Sequence, residues 1–422
     1  MNQTRDLQIL TVPAGPAVAE VFPALTDVLA DRGPAVLPVP AADPARTRLL
    51  VDSQRPGEPI DPRVALVVST SGSTGTPKGA MLSASALGAS AAATDRFLGG
   101  PGRWLLALPG HHIAGLQVML RSLRSGYAPT VMDVTGGFDP DALPAAVEAA
   151  RAGAPRVYTS LIPGQLAKVL DEGSPEAVAA LARLDAILLG GAAAAPELLT
   201  RAADAGIRVV RTYGMSETAG GCVYDGAPLE GVEVRIEDDD DNAGAGGGAD
   251  GGIGDGAGDG AGGPTSGTGR VWLAGPQVAL GYRNAPGHPA FHREGWFRTD
   301  DAGRINEDGR LSILGRLDDA ISVGGLTLLP QTVEDALRRH AAVVDVVVVG
   351  IPDARLGAKP VAAVALRSPA SSDALRAHVT SLLGEHSAPA AVAVLAELPT
   401  LPGGKVDRRA VARGFDDGTI TA

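Results

Sequence analysis

The feature that most constrains this chain is an alternation. Between residues 64 and 211, short apolar runs at 64–69, 104–108, 129–133, 156–160, 186–189 and 207–211 take turns with helix-like segments at 83–95, 113–125, 139–151, 162–171 and 196–205. A strand buried on both faces reads as a continuous apolar run, and a parallel neighbour needs a crossover long enough to hold a helix. The alternation therefore predicts a layered α/β domain with mostly parallel strands. From about residue 317 the pattern shrinks. Helices are expected at 331–340 and 372–384, with strands at 343–350 and 361–366, which makes a compact α+β domain. A length of 422 residues suits two or three such units, and 45% hydrophobic content fills their cores.

Charge excludes some functions. The net charge is −12, but the stretch 237–269 holds eight acids and neither Lys nor Arg; without it the balance is −4, ordinary for a soluble enzyme. No basic patch with interleaved aromatics appears, so nucleic acid is not an expected partner. No apolar run reaches the length of a membrane span, and the N-terminal residues lack the basic-then-apolar pattern of a secretory leader. A cytoplasmic location is expected. The single cysteine, Cys222, excludes a disulfide framework and a multi-cysteine zinc site, and reads as a small buried hydrophobe. Within the acidic stretch, residues 238–267 are so rich in Gly and Asp that they read as a disordered insertion between two strands. The irregular Asp spacing argues against a calcium-binding repeat.

The segment most loaded with chemistry is Ser69-Thr70-Ser71-Gly72-Ser73-Thr74-Gly75-Thr76-Pro77-Lys78-Gly79, set between an expected strand and an expected helix. Its glycines let the backbone approach a ligand, and its hydroxyls and one ammonium suit phosphate oxygens. It is not a Walker A loop, because the Lys precedes the last Gly.

This segment resembles the phosphate-binding signature of the adenylate-forming superfamily, which includes acyl-CoA synthetases. The resemblance continues in order along nearly the whole chain. Leu189-Gly190-Gly191-Ala192 is similar to the loop beside the adenine. Tyr213-Gly214-Met215-Ser216-Glu217-Thr218 is similar to the aromatic-Gly-x-Thr-Glu motif, with Ser216 in place of Thr. Gly295-Trp296-Phe297-Arg298-Thr299-Asp300-Asp301 resembles the segment ending in the ribose-binding Asp. Gly315-Arg316-Leu317-Asp318-Asp319 resembles the hinge, and Leu401-Pro402-Gly403-Gly404-Lys405-Val406-Asp407-Arg408 the C-terminal catalytic-lysine motif. The resemblance implies a large layered N-terminal adenylation domain over 1–316 and a small mobile C-terminal α+β domain over 317–422.

It also implies roles. Adenylation joins a carboxylate to the α-phosphate of ATP and expels pyrophosphate, so the site must neutralise charge and hold an in-line geometry. Thr70, Ser71, Gly72, Ser73, Thr74, Gly75 and Lys78 would hold the β- and γ-phosphates. Gly190, Gly191, Ala192, Tyr213 and Gly214 would line the nucleotide, and Ser216 would donate to the α-phosphate. Glu217 would ligate Mg2+, a hard cation that prefers carboxylate and phosphate oxygens. Asp301 would accept from the ribose hydroxyls and Arg316 would donate to them. Asp300 stands where the family has Gly, so the choice between the two adjacent carboxylates stays open. Lys405 would be a mobile positive charge between carboxylate and α-phosphate. Asp318 would be the hinge, and Gly324 and Gly325 would line the path of CoA.

The acid is suggested by a helical segment. Arg121 falls in an otherwise apolar helix, nine residues after His112, and burying a lone guanidinium is costly unless it meets an anion. A dicarboxylic substrate supplies one at its non-reacting end, which Arg binds through two hydrogen bonds. This segment resembles the o-succinylbenzoate–CoA ligases of menaquinone biosynthesis. There Arg121 would hold the distal carboxylate and His112 would line the acyl pocket as a catalytic residue. An internal Asp or Glu partner for Arg121 is the structural alternative. Other readings are another aryl or fatty acyl-CoA synthetase, or a non-catalytic nucleotide-binding relative, against which Lys78, Glu217 and Lys405 argue. No carrier-protein motif follows Lys405, which favours free CoA as acceptor. Oligomeric state is open, a homodimer included.

Overall fold

The computed structural model describes residues 5–70, 76–238, 268–324, 326–400 and 406–421. Contacts divide the chain into two compact units: Met1–Val234 with Trp272–Arg298, and Arg235–Val271 with Thr299–Ala422. The boundary expected at 316/317 falls inside the second unit, and the Gly/Asp-rich stretch from 239 to 267 lies outside the described residues.

In the first unit a seven-stranded sheet has the order Ala227–Pro228, Gly220–Tyr224, Val209–Met215, Ala186–Leu189, Val157–Leu161, Arg103–Leu106, Thr130–Val131. The pairs from Val209–Met215 to Thr130–Val131 are parallel, as the alternation predicts, and the remaining pairs are antiparallel. Because side chains alternate across a strand, Leu105, Val157 and Ile187 enter one core with Leu143, Leu166, Leu181 and Leu198 of the crossover helices. Trp104, Tyr158 and Leu188 enter another, with Leu25, Leu87, Leu116 and Leu120. The sheet thus has helices on both faces.

The strand Val64–Ser69 belongs to a different sheet, ordered Pro59–Ile60, Arg5–Val12, Ala35–Pro40, Val64–Ser69, Gly79–Ser83. Local chemistry sets the helix limits. Ser83 accepts from the Ala86 N–H to start Ala84–Leu98, and Gly99 ends it at a φ of 89°. The helix expected at 139–151 opens instead with a 3-10 turn, Pro140–Ala142, capped by Asp139, before Leu143–Arg151.

The second unit contains most of a four-stranded sheet ordered Glu233–Glu237, Thr268–Ala274, Trp296–Ile305, Leu311–Arg316. It also holds a five-stranded sheet running Leu326–Leu328, Ile321–Val323, Gly357–Leu366, Val343–Asp353, with Ala391–Leu395 paired to Gly357–Leu366. Helices Pro330–Arg338 and Ser372–Leu383 cover one face through Val333, Leu337, Leu375 and Val379, and Arg408–Asp416 covers the other through Val411. This is the expected α+β arrangement. Among the described residues no helix is long and apolar enough to cross a membrane.

Candidate functional site

The ends of the hydroxyl-rich loop are fastened by strand pairing. Val64–Ser69 runs antiparallel to Gly79–Ser83 with Ser69 opposite Gly79, and the Thr70 N–H donates to the Lys78 carbonyl at 2.8 Å. Residues Ser71, Gly72, Ser73, Thr74 and Gly75 lie outside the described residues. Around Lys78 the chain is gripped from both sides. Asn284 donates from Nδ2 to the Pro77 carbonyl (2.9 Å) and accepts from the Gly79 N–H (3.1 Å), while buried Gln54 also donates to the Pro77 carbonyl at 2.9 Å. A Cβ on Gly79 would run into the buried Gln54 amide and into Val67 Cγ1, so glycine is the residue that fits without repacking.

Three distant segments meet at this point. The Lys78 ammonium stands 3.1 Å from His288 Nε2 and 5.1 Å from the centroid of the Tyr282 ring. Tyr282 donates its hydroxyl proton to Glu217 Oε1 at 2.6 Å. Glu217 and Ser216 are both buried, Ser216 Oγ faces the Ser69 carbonyl at 3.5 Å, and the Glu217 carbonyl accepts from the Ala279 N–H at 2.8 Å. Lys78, Ser216 and Glu217, named from sequence, are thus brought together. Tyr282, Asn284 and His288 are additions that sequence reasoning missed.

Glu217 sits in a one-turn 3-10 helix, Ser216–Thr218, that the following backbone shapes. Ala219 has a φ of 51°, and its carbonyl is held by Gln117 Nε2 at 2.6 Å and Ser90 Oγ at 3.1 Å. Gln117 lies on the helix Ile113–Arg124, so that helix packs against the turn bearing Glu217. His112 is the N-cap of the same helix, exposed, with its ring 4.1 Å from that of His111. Burial and the neighbouring His112 push the His111 imidazole down to about 4.

Gly190, Gly191 and Ala192 follow Ala186–Leu189, and Tyr213 and Gly214 end the adjacent parallel strand Val209–Met215. They therefore share the carboxyl edge of the sheet, where open α/β sheets bind ligands. A Cβ at Gly214 would collide with the Gly220 carbonyl, so close backbone approach fixes that glycine too.

Arg121 is 3% exposed and its guanidinium stands 5.2 Å from the centroid of the Trp104 ring. Its Nε and Nη2 have no hydrogen-bond partner among the described residues. Asp95 is its nearby opposite charge. That carboxyl is pushed up by burial and pulled down by Arg124, which bonds it at 2.9 Å, and by Arg121.

In the second unit Asp301 and Arg316 are cross-strand partners, with the Arg316 guanidinium 3.9 Å from Asp301 and 3.6 Å from Asp300. Asp301 is buried and Asp300 exposed. Arg316 closes a two-point bond with Asp318, 2.7 Å on each arm, and that bond raises its pKa well above the usual arginine value. Gly324 takes a φ of 57° beside Leu356, while Gly325 and Lys405 lie outside the described residues. Past Lys405 the chain is anchored: Thr400 bridges Val406, and Arg408 donates to Glu334 Oε1 (2.6 Å) and to the Val348 carbonyl (2.8 Å).

Among the described residues no group of three or more His, Cys, Asp and Glu could hold a metal. One buried carboxylate near the hydroxyl-rich segment fits Mg2+, which is commonly held by one or two carboxylates and substrate phosphates.

The AMP-binding enzyme family matches residues 16–283, and the AMP-binding enzyme C-terminal domain matches 332–405. A probable 2-succinylbenzoate–CoA ligase of Mycobacterium tuberculosis (strain H37Rv) is 47% identical over 414 residues, covering 97% of this chain and 98% of that protein. The o-succinylbenzoate CoA synthetase of Bacillus subtilis, solved in complex with its acyl-adenylate intermediate, is 25% identical with a TM-score of 0.70, covering 96% of this chain and 88% of that one. ATP-bound MatB from Rhodopseudomonas palustris, 22% identical with a TM-score of 0.78 and covering 98% and 90%, shares the fold.

Proposed function

The chain belongs to the AMP-binding enzyme family, and on that premise we propose that it is a 2-succinylbenzoate–CoA ligase of menaquinone synthesis. The observation that carries this reading is identity of 47% spread over 97% of the chain and 98% of the mycobacterial relative.

In the first half-reaction a carboxylate oxygen of 2-succinylbenzoate attacks the α-phosphorus of ATP. The bond to the bridging oxygen breaks and pyrophosphate leaves with the electron pair. Lys78 and the hydroxyl-rich loop from Thr70 hold the departing phosphates. Ser216 donates to the α-phosphate, and Glu217, oriented by Tyr282, would hold Mg2+, which supplies charge neutralisation when bound. Asp301 rather than the exposed Asp300 accepts from the ribose, with Arg316 beside it. Lys405 draws the attacking carboxylate and the α-phosphate together. In the second half-reaction the CoA sulfur attacks the acyl carbonyl and AMP leaves. The small domain turns about Asp318, and Gly324 and Gly325 give the pantetheine arm room. Arg121 meets the distal carboxylate through Nε and Nη2, the two nitrogens without a partner among the described residues. We infer a cytoplasmic location from the use of ATP and CoA.

The test is pyrophosphate release and CoA-ester formation from a panel of acids with ATP. 2-Succinylbenzoate is expected to exceed benzoate and long-chain fatty acids in kcat/KM. Preference for a monoacid would transfer the assignment to another acyl-CoA synthetase, and no pyrophosphate with any acid would end the ligase reading.

A further inference from the structure

We propose that His288 is a second donor to the phosphates that leave as pyrophosphate, paired with Lys78. This deepens the ligase reading and rests on it. The segment 286–289 carries none of the motifs that mark the nucleotide site in the sequence, yet it places an imidazole against the loop lysine from 210 positions away.

The position of the ring proton decides what His288 can do. His288 caps the short 3-10 turn Pro289–Phe291, and its Nδ1 accepts from the Ala290 N–H at 3.2 Å. A neutral imidazole has one donor nitrogen and one acceptor, so this bond assigns the proton to Nε2. Nε2 is the atom 3.1 Å from Lys78 Nζ. An ammonium has no lone pair to offer. In that tautomer the two nitrogens are both donors, 3.1 Å apart, and an anionic oxygen accepting from each would bridge them.

The surroundings fix both donors. The Tyr282 ring stands edge-on to the imidazole, 4.9 Å between centroids, and 5.1 Å from Lys78 Nζ. The Tyr282 hydroxyl is turned to Glu217. Asn284 clamps the backbone on either side of Lys78. One aromatic ring thus spaces a carboxylate suited to Mg2+ from a pair of donors suited to the oxygens that the metal leaves uncovered. The negative charge that builds on pyrophosphate as it departs is where two charge-assisted bonds gain most.

Two substitutions separate this role from the capping role. Asn at 288 keeps an acceptor near the Nδ1 position for the Ala290 N–H but puts no donor at the Nε2 position. Gln places its amide donor near Nε2 and gives up the cap. For His288→Asn we expect KM for ATP and the dissociation constant of inorganic pyrophosphate to rise about ten-fold, the effect of losing one hydrogen bond to a charged group. KM for the acid and the melting temperature should stay. His288→Gln should retain pyrophosphate affinity within about three-fold, at some cost in melting temperature. A merely structural histidine gives the reverse ranking, which overturns the proposal, as does pyrophosphate affinity unchanged in both. Calorimetric binding of pyrophosphate with Mg2+ needs no acid substrate. If the wild-type protein activates no acid, the ligase reading fails while the pyrophosphate measurement still decides His288.

Discussion

Tyr282 and Glu217, 65 positions apart, are joined by a 2.6 Å bond from the phenol to the carboxylate. The phenol uses its proton to fix one carboxylate oxygen, and its ring lies 5.1 Å from Lys78, so it orders an anion and a cation at once. Groups that orient a metal-binding carboxylate typically change metal affinity by about 10–100-fold when removed.

Tyr282→Phe keeps the ring against Lys78 and deletes the hydroxyl. The Mg2+ concentration for half-maximal pyrophosphate release should rise by about ten-fold, while KM for the acid stays near its original value. An unaltered Mg2+ titration would remove Tyr282 from the metal's support.

How much of this was legible in sequence depends on where each signal lies. The strand Ala186–Leu189 is buried throughout, so its apolar run marks its limits without help from neighbours. Ala35–Pro40 is equally buried, but Pro38 and Pro40 disguise it, because proline donates no ladder hydrogen bond and reads as a break. Arg5–Val12 is mostly exposed and half-exposed, so it presents no apolar run. The helix Pro175–Ala182 has the local signature of a start, with Ser174 accepting from the Ala177 N–H and Pro175 at its first position, yet its small apolar face gave no period to read. The site divides in the same way. Lys78 and Glu217 sit in motifs whose composition declares them. Asn284 and His288 reach the loop only through the pairing of residues around Ala80 with Tyr282, and no local pattern encodes that meeting.

His111 should give the protein an acid-sensitive step. Its folded-state pKa of about 4 lies below the roughly 6.5 of an unfolded chain, so the unfolded state takes up the proton first. The stability that a neutral His111 contributes is whole above pH 6.5 or so and is lost as pH falls toward about 4. Melting temperature should drop over that window, and His111→Gln should flatten the drop. A profile identical in the variant would mean that other groups set the acid limit.

Arg121→Ala tests the acid pocket. If the guanidinium meets a distal carboxylate, KM for 2-succinylbenzoate should rise at least ten-fold, in line with roughly 1.5–3 kcal/mol for a charge-assisted bond, while KM for ATP and for a monoacid hardly moves. If Asp95 is its working partner, the variant loses stability and its kinetics change alike for all substrates. Asp95→Asn then distinguishes the cases, because it should leave the diacid KM untouched when Arg121 serves the substrate.

The last prediction concerns Lys405 and the anchor behind it. Lys405→Ala should abolish acyl-AMP formation and largely spare thioester formation from supplied acyl-AMP, since only the first half-reaction asks for its charge. Arg408 follows it by three positions and is bound to Glu334, whose side chain is 2% exposed and also accepts from the Val348 N–H at 2.9 Å. Arg408 approaches Asp319 at 3.9 Å as well, next to the proposed hinge residue Asp318. Glu334→Ala removes the buried carboxylate shared by Arg408, Arg338 and the Val348 N–H, so the second unit should melt earlier. Arg408→Ala removes the same anchor from its exposed end. It should slow single-turnover acyl-AMP formation more than the CoA chase, in the direction of Lys405→Ala but less completely. Equal slowing of both half-reactions would place Arg408 in the general stability of the unit and detach it from Lys405.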